Sequence, residues 1–209
     1  MARASRRNLG AALRPCRGGL TRMRVIAGRL KGRRLFSPDW DGLRPTSDRL
    51  RETLFDILGA RVEGARVLDG CAGTGAVGIE ALSRGAEHVV FIERDRRAVA
   101  LIRRNLAACA FSERHTLREA ALPGALRGAP VAPFDLILLD PPYGALDIGA
   151  ILTATAGHLA PRGLLVLERA RRDTPRVDPL LESLRLVRAG DSVLEFYAPA
   201  TPPTAAATE

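Results

Sequence analysis

Residues that bind metals or form disulfides are scarce in this sequence. Among its 209 residues there are three cysteines and three histidines. Neither type occurs in a metal-binding spacing such as CxxC or HExxH, and an odd, unpatterned set of cysteines does not make a disulfide framework. We therefore expect no bound metal ion, and a protein that works in a reducing compartment, the cytoplasm.

Long apolar runs are also missing. No stretch reaches the roughly 18 consecutive apolar residues that a membrane-spanning helix needs. Hydrophobic residues make up 46% of the chain and charged residues 26%, which is the balance of a globular protein. The composition predicts a folded domain with a core of its own and no membrane partner.

Acidic residues are scarce near the beginning of the chain. Residues 1–51 hold 14 Arg and Lys against three Asp, whereas the remainder holds 18 basic and 20 acidic residues. A basic block beside a nearly neutral body favours a polyanionic partner such as nucleic acid, because neutralised phosphates release counterions. The alternative is an arginine-rich segment that is merely solvated.

The two ends of the chain lack the apolar content of a folded segment. Residues 1–22 contain six arginines and no acid, which predicts a disordered extension. The same composition fits an organelle transit peptide. A third alternative is that Met23 is the natural start of the protein. Residues 199–209, rich in Pro, Ala and Thr, predict a disordered tail. We expect one domain over residues 23–198.

Residues 23–60 predict a short β-hairpin followed by a helix. Polar and apolar residues alternate around Gly28 and Gly32 in MRVIAGRLKGRRLFSP, as in a hairpin. In RPTSDRLRETLFDIL, Ser47 or Asp48 is a candidate N-cap, and Arg49 and Glu52 should lie on a polar face. The apolar stripe of this helix should consist of Leu50, Leu54, Ile57 and Leu58.

Residues 61–198 alternate between short aliphatic strands and amphipathic helices. The strands ARVLDG, HVVFIE, FDLILLDPP and GLLVLE are nearly continuous apolar runs, separated by helical patterns such as DRRAVALIRRNLAAC. Such strands form a parallel sheet that helices cover on both faces. The last pair, LRLVRAG and SVLEFYAP, predicts a closing antiparallel hairpin.

A glycine-rich loop follows the first of these strands. The stretch VLDGCAGTGAVG contains GxGxxG at Gly73, Gly75 and Gly78, which by itself fits a dinucleotide site or a tight turn between strand and helix. Asp69 ends the strand just before the loop, where its carboxylate would repel a pyrophosphate and attract an ammonium group, such as that of S-adenosylmethionine. Glu93, 18 residues beyond Gly75, is placed to hold a ribose.

The strand LILL ends in Asp140, Pro141, Pro142 and Tyr143. In an open parallel sheet, ligands bind outside the carboxyl ends of the strands, so Asp140 should face the same crevice as Asp69. Prolines have no N–H, so this turn presents only acceptors. Such acceptors could hold both hydrogens of an exocyclic amine, while Tyr143 stacks on its ring for roughly 1–3 kcal/mol. The alternative is an ordinary strand-ending turn.

These motifs resemble the class I S-adenosylmethionine-dependent methyltransferases, in particular the amino-methylating branch with a [DN]PP[FY] motif. The resemblance is closer still to the RsmD-type 16S rRNA guanine-N2 methyltransferases, and the stretch RPTSDRLRETLF narrows it to that family. It is carried by MRVIAGRLKGRRL from Met23, LRPTSDRLRETLFDIL from Leu43, VLDGCAGTGAVGIEALSRGA from Val67, FIERD from Phe91, LLDPPY from Leu138 and AGDSVLEFY from Ala189.

The resemblance implies a Rossmann-like α/β fold with a seven-stranded, mostly parallel sheet and a C-terminal antiparallel hairpin. It implies S-adenosylmethionine as cofactor, S-adenosylhomocysteine as product, and Asp140, Pro141, Pro142 and Tyr143 as the catalytic residues. Asp is the usual residue where this chain has Glu119, and Cys71 and Ala72 also depart from the pattern. The implied cofactor-binding residues are Asp69, Gly70, Cys71, Ala72, Gly73, Thr74, Gly75, Glu93, Arg94, Glu119, Ala120 and Asp140.

The implied macromolecular partner is 16S rRNA within a small-subunit particle, bound by a monomeric enzyme. Two of the candidate RNA-binding residues, Arg44 and Arg49, could equally orient the DPPY turn or hold the cofactor carboxylate. The full set is Arg24, Arg29, Lys31, Arg33, Arg34, Arg44 and Arg49.

Three other functions are compatible with the same residues. The DPPY turn could bind another amine, such as adenine N6 or a glutamine side chain, because its acceptors contact only the amine and do not select the group that carries it. The three glycines could belong to an NAD-dependent oxidoreductase. The chain could also be a non-catalytic RNA-binding protein on a methyltransferase scaffold.

Overall fold

The computed structural model describes residues 23–43, 46–127, 132–142 and 147–200. The predicted extension 1–22 and most of the predicted tail lie outside these residues, as do Arg44 and Tyr143. In the described part of the chain, no helix is long and apolar enough to cross a membrane.

Four α-helices and seven strands are present in the described residues. The helices are α1 (Asp48–Leu58), α2 (Ala76–Ser83), α3 (Arg96–Ala108) and α4 (Ile148–Ala156). The strands are β1 (Arg66–Gly70), β2 (His88–Glu93), β3 (His115–Glu119), β4 (Phe134–Leu139), β5 (Leu159–Ala170), β6 (Leu181–Ala189) and β7 (Ser192–Pro199). Each strand and helix that the sequence pattern predicts in residues 61–198 is found, with ends that differ by a few residues.

The seven strands form one sheet in the order β3-β2-β1-β4-β5-β7-β6. The first five strands in this order are parallel, and β7 runs antiparallel to both β5 and β6. The α/β fold class is therefore confirmed, with the antiparallel hairpin at one end of the sheet. The strand order reverses between β1 and β4, and such a switch point opens a crevice at the carboxyl ends of the strands.

Helices cover both faces of the sheet, so the central strands are buried on both sides. One face packs α1, α2 and α3 against residues such as Val67 and Leu138. The other face packs α4 against their sequence neighbours Leu68 and Leu139. Since side chains alternate along a strand, the strand residues Asp69, Glu93, Asp140 and Glu168 all project on the face covered by α1 to α3.

The predicted N-terminal hairpin is present in a reduced form. Its two arms run antiparallel and join through a single β-bridge between Arg24 and Arg34, without regular strands. A 3-10 turn at Gly28–Leu30 connects them. Gly28 has a φ of 75°, and a Cβ there would lie 2.0 Å from the carbonyl oxygen of Ser83 in α2. Close packing on α2 therefore requires glycine at this turn.

Helix α1 begins where its sequence predicts. The Ser47 side chain accepts a hydrogen bond from the Leu50 N–H, which makes Ser47 the N-cap. Leu50, Leu54 and Leu58 of the predicted stripe are buried, and Ile57 is partly buried.

One charged residue of α1 is also fully buried. The Arg51 guanidinium donates to the Arg24 carbonyl at 2.9 Å and to the Asp48 carboxylate at 2.6 Å, and lies 3.8 Å from the Glu80 carboxylate. Glu80, likewise fully buried on α2, accepts the backbone N–H groups of Ile26 and Ala27. A buried ion pair thus attaches the N-terminal segment to the sheet domain.

Candidate active site

A cleft of about 860 Å³ lies at the carboxyl ends of β1, β2, β4 and β5. It contains the glycine loop, the ends of these strands and part of the DPPY turn. Its remaining walls are the segment before α1, α1 itself and the turn between β6 and β7. Of the predicted site residues, those lining it are Asp69, Cys71, Ala72, Gly73, Thr74, Glu93, Arg94, Ala120, Asp140, Pro141, Pro142 and Arg49.

Asp69 is a buried carboxylate at the base of this cleft. Its Oδ2 accepts a hydrogen bond of 2.8 Å from the N–H of Gly78, in the first turn of α2. Burial, together with the charges of the nearby Asp140 and Glu93 carboxylates, raises the pKa of Asp69 to about 8, against the opposing effect of the Gly78 bond. A carboxylate therefore already occupies the helix N-terminus where a dinucleotide would place its pyrophosphate.

The three glycines of GxGxxG are required by two structural features. Gly73 and Gly75 have φ values of 55° and 74°, which the turn from β1 into α2 requires. A Cβ on Gly78 would lie 2.3 Å from the Phe91 ring, so this glycine allows α2 to pack closely on β2. The motif here reflects a tight turn and close helix packing, and neither feature is specific to a dinucleotide.

Cys71 and Ala72, which depart from the family pattern, fit the loop as small side chains. Cys71 adopts a φ of 62°, a region that non-glycine residues rarely occupy. Its thiol is partly buried, and burial raises its pKa to about 12. The thiol is therefore protonated at neutral pH and is not a reactive thiolate.

Glu93 ties two loops of the cleft together. One carboxylate oxygen accepts the N–H of Gly73 at 2.8 Å, and the other accepts the N–H groups of Arg94 and Asp95 at 2.7 and 2.8 Å. Each oxygen can accept about two hydrogen bonds, so capacity remains for a ribose hydroxyl. The carboxylate is thus fixed in position by backbone on both sides.

Glu119 lies at the end of β3 but is not among the residues that line the cleft. Its carboxylate accepts a hydrogen bond of 2.8 Å from the exposed Arg96 guanidinium. The next residue, Ala120, does line the cleft, and its N–H donates to the Glu93 carbonyl. In this structure the backbone after β3 reaches the cleft, and the Glu119 side chain is bound to α3.

Asp140 follows β4 and faces the same cleft as Asp69. Thr46 Oγ1, from the segment before α1, donates to Asp140 Oδ2 at 3.1 Å. Burial, with a smaller contribution from the charge of Glu168, raises the pKa of Asp140 to about 7, while the Thr46 bond opposes this rise. Neither residue was predicted from the sequence to belong to the site: Thr46 lies in the RPTSDRLRETLF stretch but was given no role, and Glu168 belongs to no recognisable motif.

A segment before α1 covers the glycine loop. A Cβ on Gly73 would lie 3.2 Å from the Leu43 side chain, and the Arg97 guanidinium lies 5.2 Å from the centre of the Trp40 ring. Asn105 of α3 fixes this segment through its amide, which bonds the backbone of Phe36 and the Thr74 carbonyl. Trp40 and Arg97 also line the cleft, although the sequence did not single them out.

The predicted RNA-binding residues other than Arg44 extend from the carboxyl ends of the parallel strands to their amino ends. Arg24 is 3.5 Å from Asp48, at the start of α1, and Arg49 lines the cleft. Arg29 lies 5.1 Å from the centre of the Phe111 ring, beyond the C-terminal end of α3. Helices that connect parallel strands end beside the amino ends of the strands, opposite the cleft. These basic residues therefore form a strip that runs from the cleft to the opposite side of the sheet. Its members Arg24, Arg29, Lys31, Arg33 and Arg34 are all exposed.

In residues 23–43, 46–127, 132–142 and 147–200, no group of three or more His, Cys, Asp and Glu side chains could hold a metal ion.

Comparison with known proteins gives one consistent family. A family model described as conserved hypothetical protein 95 matches residues 23–198. The putative rRNA methyltransferase YlbH of Bacillus subtilis (strain 168) is 37% identical over 153 residues, which cover 71% of this chain and 83% of that protein. The ribosomal RNA small subunit methyltransferase D of Escherichia coli (strain K12) is 36% identical over 157 residues, or 74% and 78% of the two chains.

A solved structure shares the same architecture. The putative methyltransferase yhhF from Escherichia coli superposes with a TM-score of 0.76 at 30% sequence identity, covering 87% of this chain and 100% of that one. At this coverage the two chains share their overall fold.

Proposed function

Because the chain belongs to the RsmD-type family of rRNA methyltransferases, we propose that it transfers a methyl group from S-adenosylmethionine to the exocyclic N2 of a guanine in 16S rRNA. The observation that carries this proposal is the position of Asp140 and Pro141. These two acceptors line the same cleft as Asp69 and the glycine loop. One cleft thus combines a site for a cationic cofactor with a site for an amine.

The residues of the cleft fit S-adenosylmethionine, which carries positive charge on its ammonium and sulfonium groups. Asp69, Glu93 and Asp140 place three carboxylates around one cleft, and the first of these has its pKa raised by burial and by the other two. A cation bound among them would relieve this repulsion. The cleft volume of about 860 Å³ is also in the range of small-molecule sites, roughly 300–1,000 Å³.

Within the cleft, Asp69 would hold the cofactor ammonium group, Glu93 the ribose hydroxyls, and the backbone from Gly70 to Gly75 the methionine part. The cofactor supplies the methyl group, which leaves its sulfur as the new N–C bond forms, with S-adenosylhomocysteine as the product. The protein contributes no covalent intermediate. Its residues bind the two reactants and orient them for direct displacement.

Asp140 would act on the amine of the base. An amine conjugated with its ring is a poor nucleophile, and its two hydrogens need acceptors. The Asp140 carboxylate and the Pro141 carbonyl accept them and fix the direction of the nitrogen lone pair. The proton released on methylation can pass to Asp140, whose pKa of about 7 suits a group that accepts a proton near neutral pH.

The rate of methyl transfer should rise with pH through about 7 and level off above it. The acceptor form of Asp140 is the carboxylate, and burial raises its pKa to about 7. As pH falls through this value the carboxylate is lost, and the rate should drop about tenfold per pH unit. Single-turnover rates at saturating cofactor and substrate would measure this profile.

Thr46→Val is the matched variant for this profile. It removes the hydrogen bond that lowers the pKa of Asp140, so its midpoint should lie at higher pH than that of wild type. Equal rates on both sides of pH 7 in the wild type would contradict the role of Asp140.

The substrate would be 16S rRNA within a small-subunit particle in the cytoplasm, bound by a monomer. The exposed basic residues Arg24, Arg29, Lys31, Arg33 and Arg34 offer contacts to phosphates, together with Arg44 and Arg49. The proposal also includes Tyr143 as the face on which the base stacks. In the described part of the chain no separate RNA-binding module accompanies the sheet and its helices, so the particle itself would supply the shape to be recognised.

A labelled-methyl assay tests the proposed function. Small-subunit particles from cells lacking this enzyme, and naked 16S rRNA, would be incubated with the protein and methyl-labelled S-adenosylmethionine, and the labelled position mapped. We expect label in one position of the particle. Calorimetry in the same preparation should show binding of the methyl donor and none of NAD(H); RNA binding without any transfer would indicate a non-catalytic protein and would overturn the proposal.

A further inference from the structure

Glu168 lies beside Asp140 on the neighbouring strand. In the register of β4 with β5, Leu138 pairs with Val166 and Leu139 with Leu167, so Asp140 and Glu168 follow as the next pair. Parallel neighbours are about 4.8 Å apart, and paired residues project on the same face of the sheet. The effect of the Glu168 charge on the pKa of Asp140 also indicates that the two carboxylates are close.

Glu168 stands on the side of Asp140 that is away from the cofactor residues. The strand order β1-β4-β5 puts Asp69 on one side of Asp140 and Glu168 on the other. Glu168 is 9% exposed and lines the cleft, with α1 and the β6–β7 turn forming the nearby walls. A base whose amine is bound at Asp140 would extend into this part of the cleft.

The three common bases with an exocyclic amine differ in the ring atom beside that amine. In guanine, the N2 amine is next to the N1–H, so two donors are adjacent. In adenine and cytosine, the amine is next to a ring nitrogen that only accepts. A second carboxylate beside the amine acceptors therefore complements guanine and places an acceptor against an acceptor in the other two bases.

On the basis of the function proposed above, we propose that Glu168 determines the specificity for guanine by accepting the N1–H of the target base, while Asp140 and the Pro141 carbonyl accept the hydrogens of N2. A carboxylate can accept about four hydrogen bonds. The N1–H of the base would use one of these acceptor positions on Glu168.

The test uses 2-aminopurine, which keeps the amine of guanine but has an unprotonated ring nitrogen at N1. Particles would be reconstituted around 16S rRNA with either guanine or 2-aminopurine at the mapped position, and kcat/KM measured for wild type and Glu168→Gln. The glutamine amide can donate to that nitrogen, whereas the carboxylate cannot. 2-Aminopurine also lacks the O6 of guanine, which could lower its methylation by both enzymes. The diagnostic quantity is therefore the ratio of kcat/KM for guanine to kcat/KM for 2-aminopurine, compared between wild type and Glu168→Gln.

We expect wild type to prefer guanine strongly, and Glu168→Gln to reduce this preference about tenfold or more, partly through faster methylation of 2-aminopurine. Glu168→Ala removes the acceptor without adding a donor, so it should slow guanine methylation and accelerate that of 2-aminopurine less than Glu168→Gln does. Glu182→Gln, on the exposed edge strand β6, is the matched control and should behave as wild type. Thermal melting and cofactor affinity would show that the variants are folded.

Two failures can be told apart in this experiment. An unchanged guanine preference in folded Glu168→Gln, with wild type still methylating guanine, would overturn the role of Glu168 alone. Wild type that methylates guanine in none of the particles would overturn the proposed function, and the assignment of Glu168 with it.

Discussion

Replacing Asp140 with alanine should abolish methyl transfer while S-adenosylmethionine still binds with an affinity within a few-fold of wild type. The variant loses the side-chain acceptor that orients the amine, and Thr46 loses the partner of its hydroxyl. Loss of one well-placed polar group in a catalytic site lowers kcat by about 10²–10³-fold, and loss of orientation adds to this. The expected fall is therefore about a thousandfold or more.

Asp140→Asn is the matched control for this experiment. Asparagine keeps one side-chain oxygen as an acceptor and nearly the same shape, so it should retain more activity than alanine. Single-turnover rates and calorimetric titration with the cofactor separate the two effects. Turnover of Asp140→Ala close to that of wild type would remove the proposed mechanism, and loss of cofactor binding would place Asp140 in the cofactor site alone.

Glu80→Ala should destabilise the protein by about 3–5 kcal/mol, the usual cost of removing one partner of a buried ion pair. Glu80 accepts the N–H groups of Ile26 and Ala27 and bonds Arg84 at 2.8 Å. Without it, the buried Arg51 guanidinium would lose its nearest buried carboxylate. Chemical denaturation measures the free energy of unfolding directly, and the melting temperature should fall by about 10 °C.

Two comparisons make the origin of this effect clear. Glu52→Ala changes an exposed glutamate on α1 and should shift stability by no more than about 0.5 kcal/mol. The double variant Arg51→Met with Glu80→Met replaces the ion pair by apolar side chains and should regain part of the lost stability. A loss below about 1 kcal/mol in Glu80→Ala would contradict the assigned role of the pair.

The fold was predictable because its central strands are buried on both faces. Residues such as Val67 and Leu68 pack against opposite helical layers, which leaves a continuous apolar signal in the sequence. The loop glycines and the strand-ending acids were visible for a related reason, since every parallel strand delivers its last residue to the same edge. The sequence pattern therefore predicts Asp69, Glu93 and Asp140 in one cleft.

Other features depend on contacts that no local pattern records. Thr46 and Asp140 are 94 residues apart in the chain, and Glu168 becomes the neighbour of Asp140 only through strand order. Arg51 is a charged residue of the kind expected on the solvent-exposed face of a helix, yet its side chain is fully buried. It is accommodated there because the Arg24 carbonyl accepts its hydrogen bond and the Glu80 carboxylate lies close to its guanidinium. The hairpin arms pair irregularly because they pack on α2 and do not extend the sheet.

The assignment of Glu119 shows a limit of motif transfer. Its place after the third strand agrees with the family pattern, yet its carboxylate is bound to Arg96. In the proposed complex with S-adenosylmethionine, the direction of this exposed side chain would decide between Glu119 and the backbone at Ala120 as the partner of the adenine amine. The affinity of Glu119→Ala for the cofactor distinguishes the two partners: it should fall if the Glu119 carboxylate binds the adenine amine and stay unchanged if the backbone does.

The identity of the methylated nucleoside tests the central claim most directly. Particles lacking the modification would be incubated with the protein and labelled S-adenosylmethionine, and their 16S rRNA digested and analysed by mass spectrometry. The account predicts labelled N2-methylguanosine, absent when Asp140→Ala replaces the wild-type protein. Label in N6-methyladenosine, in protein, or in no product at all would contradict it.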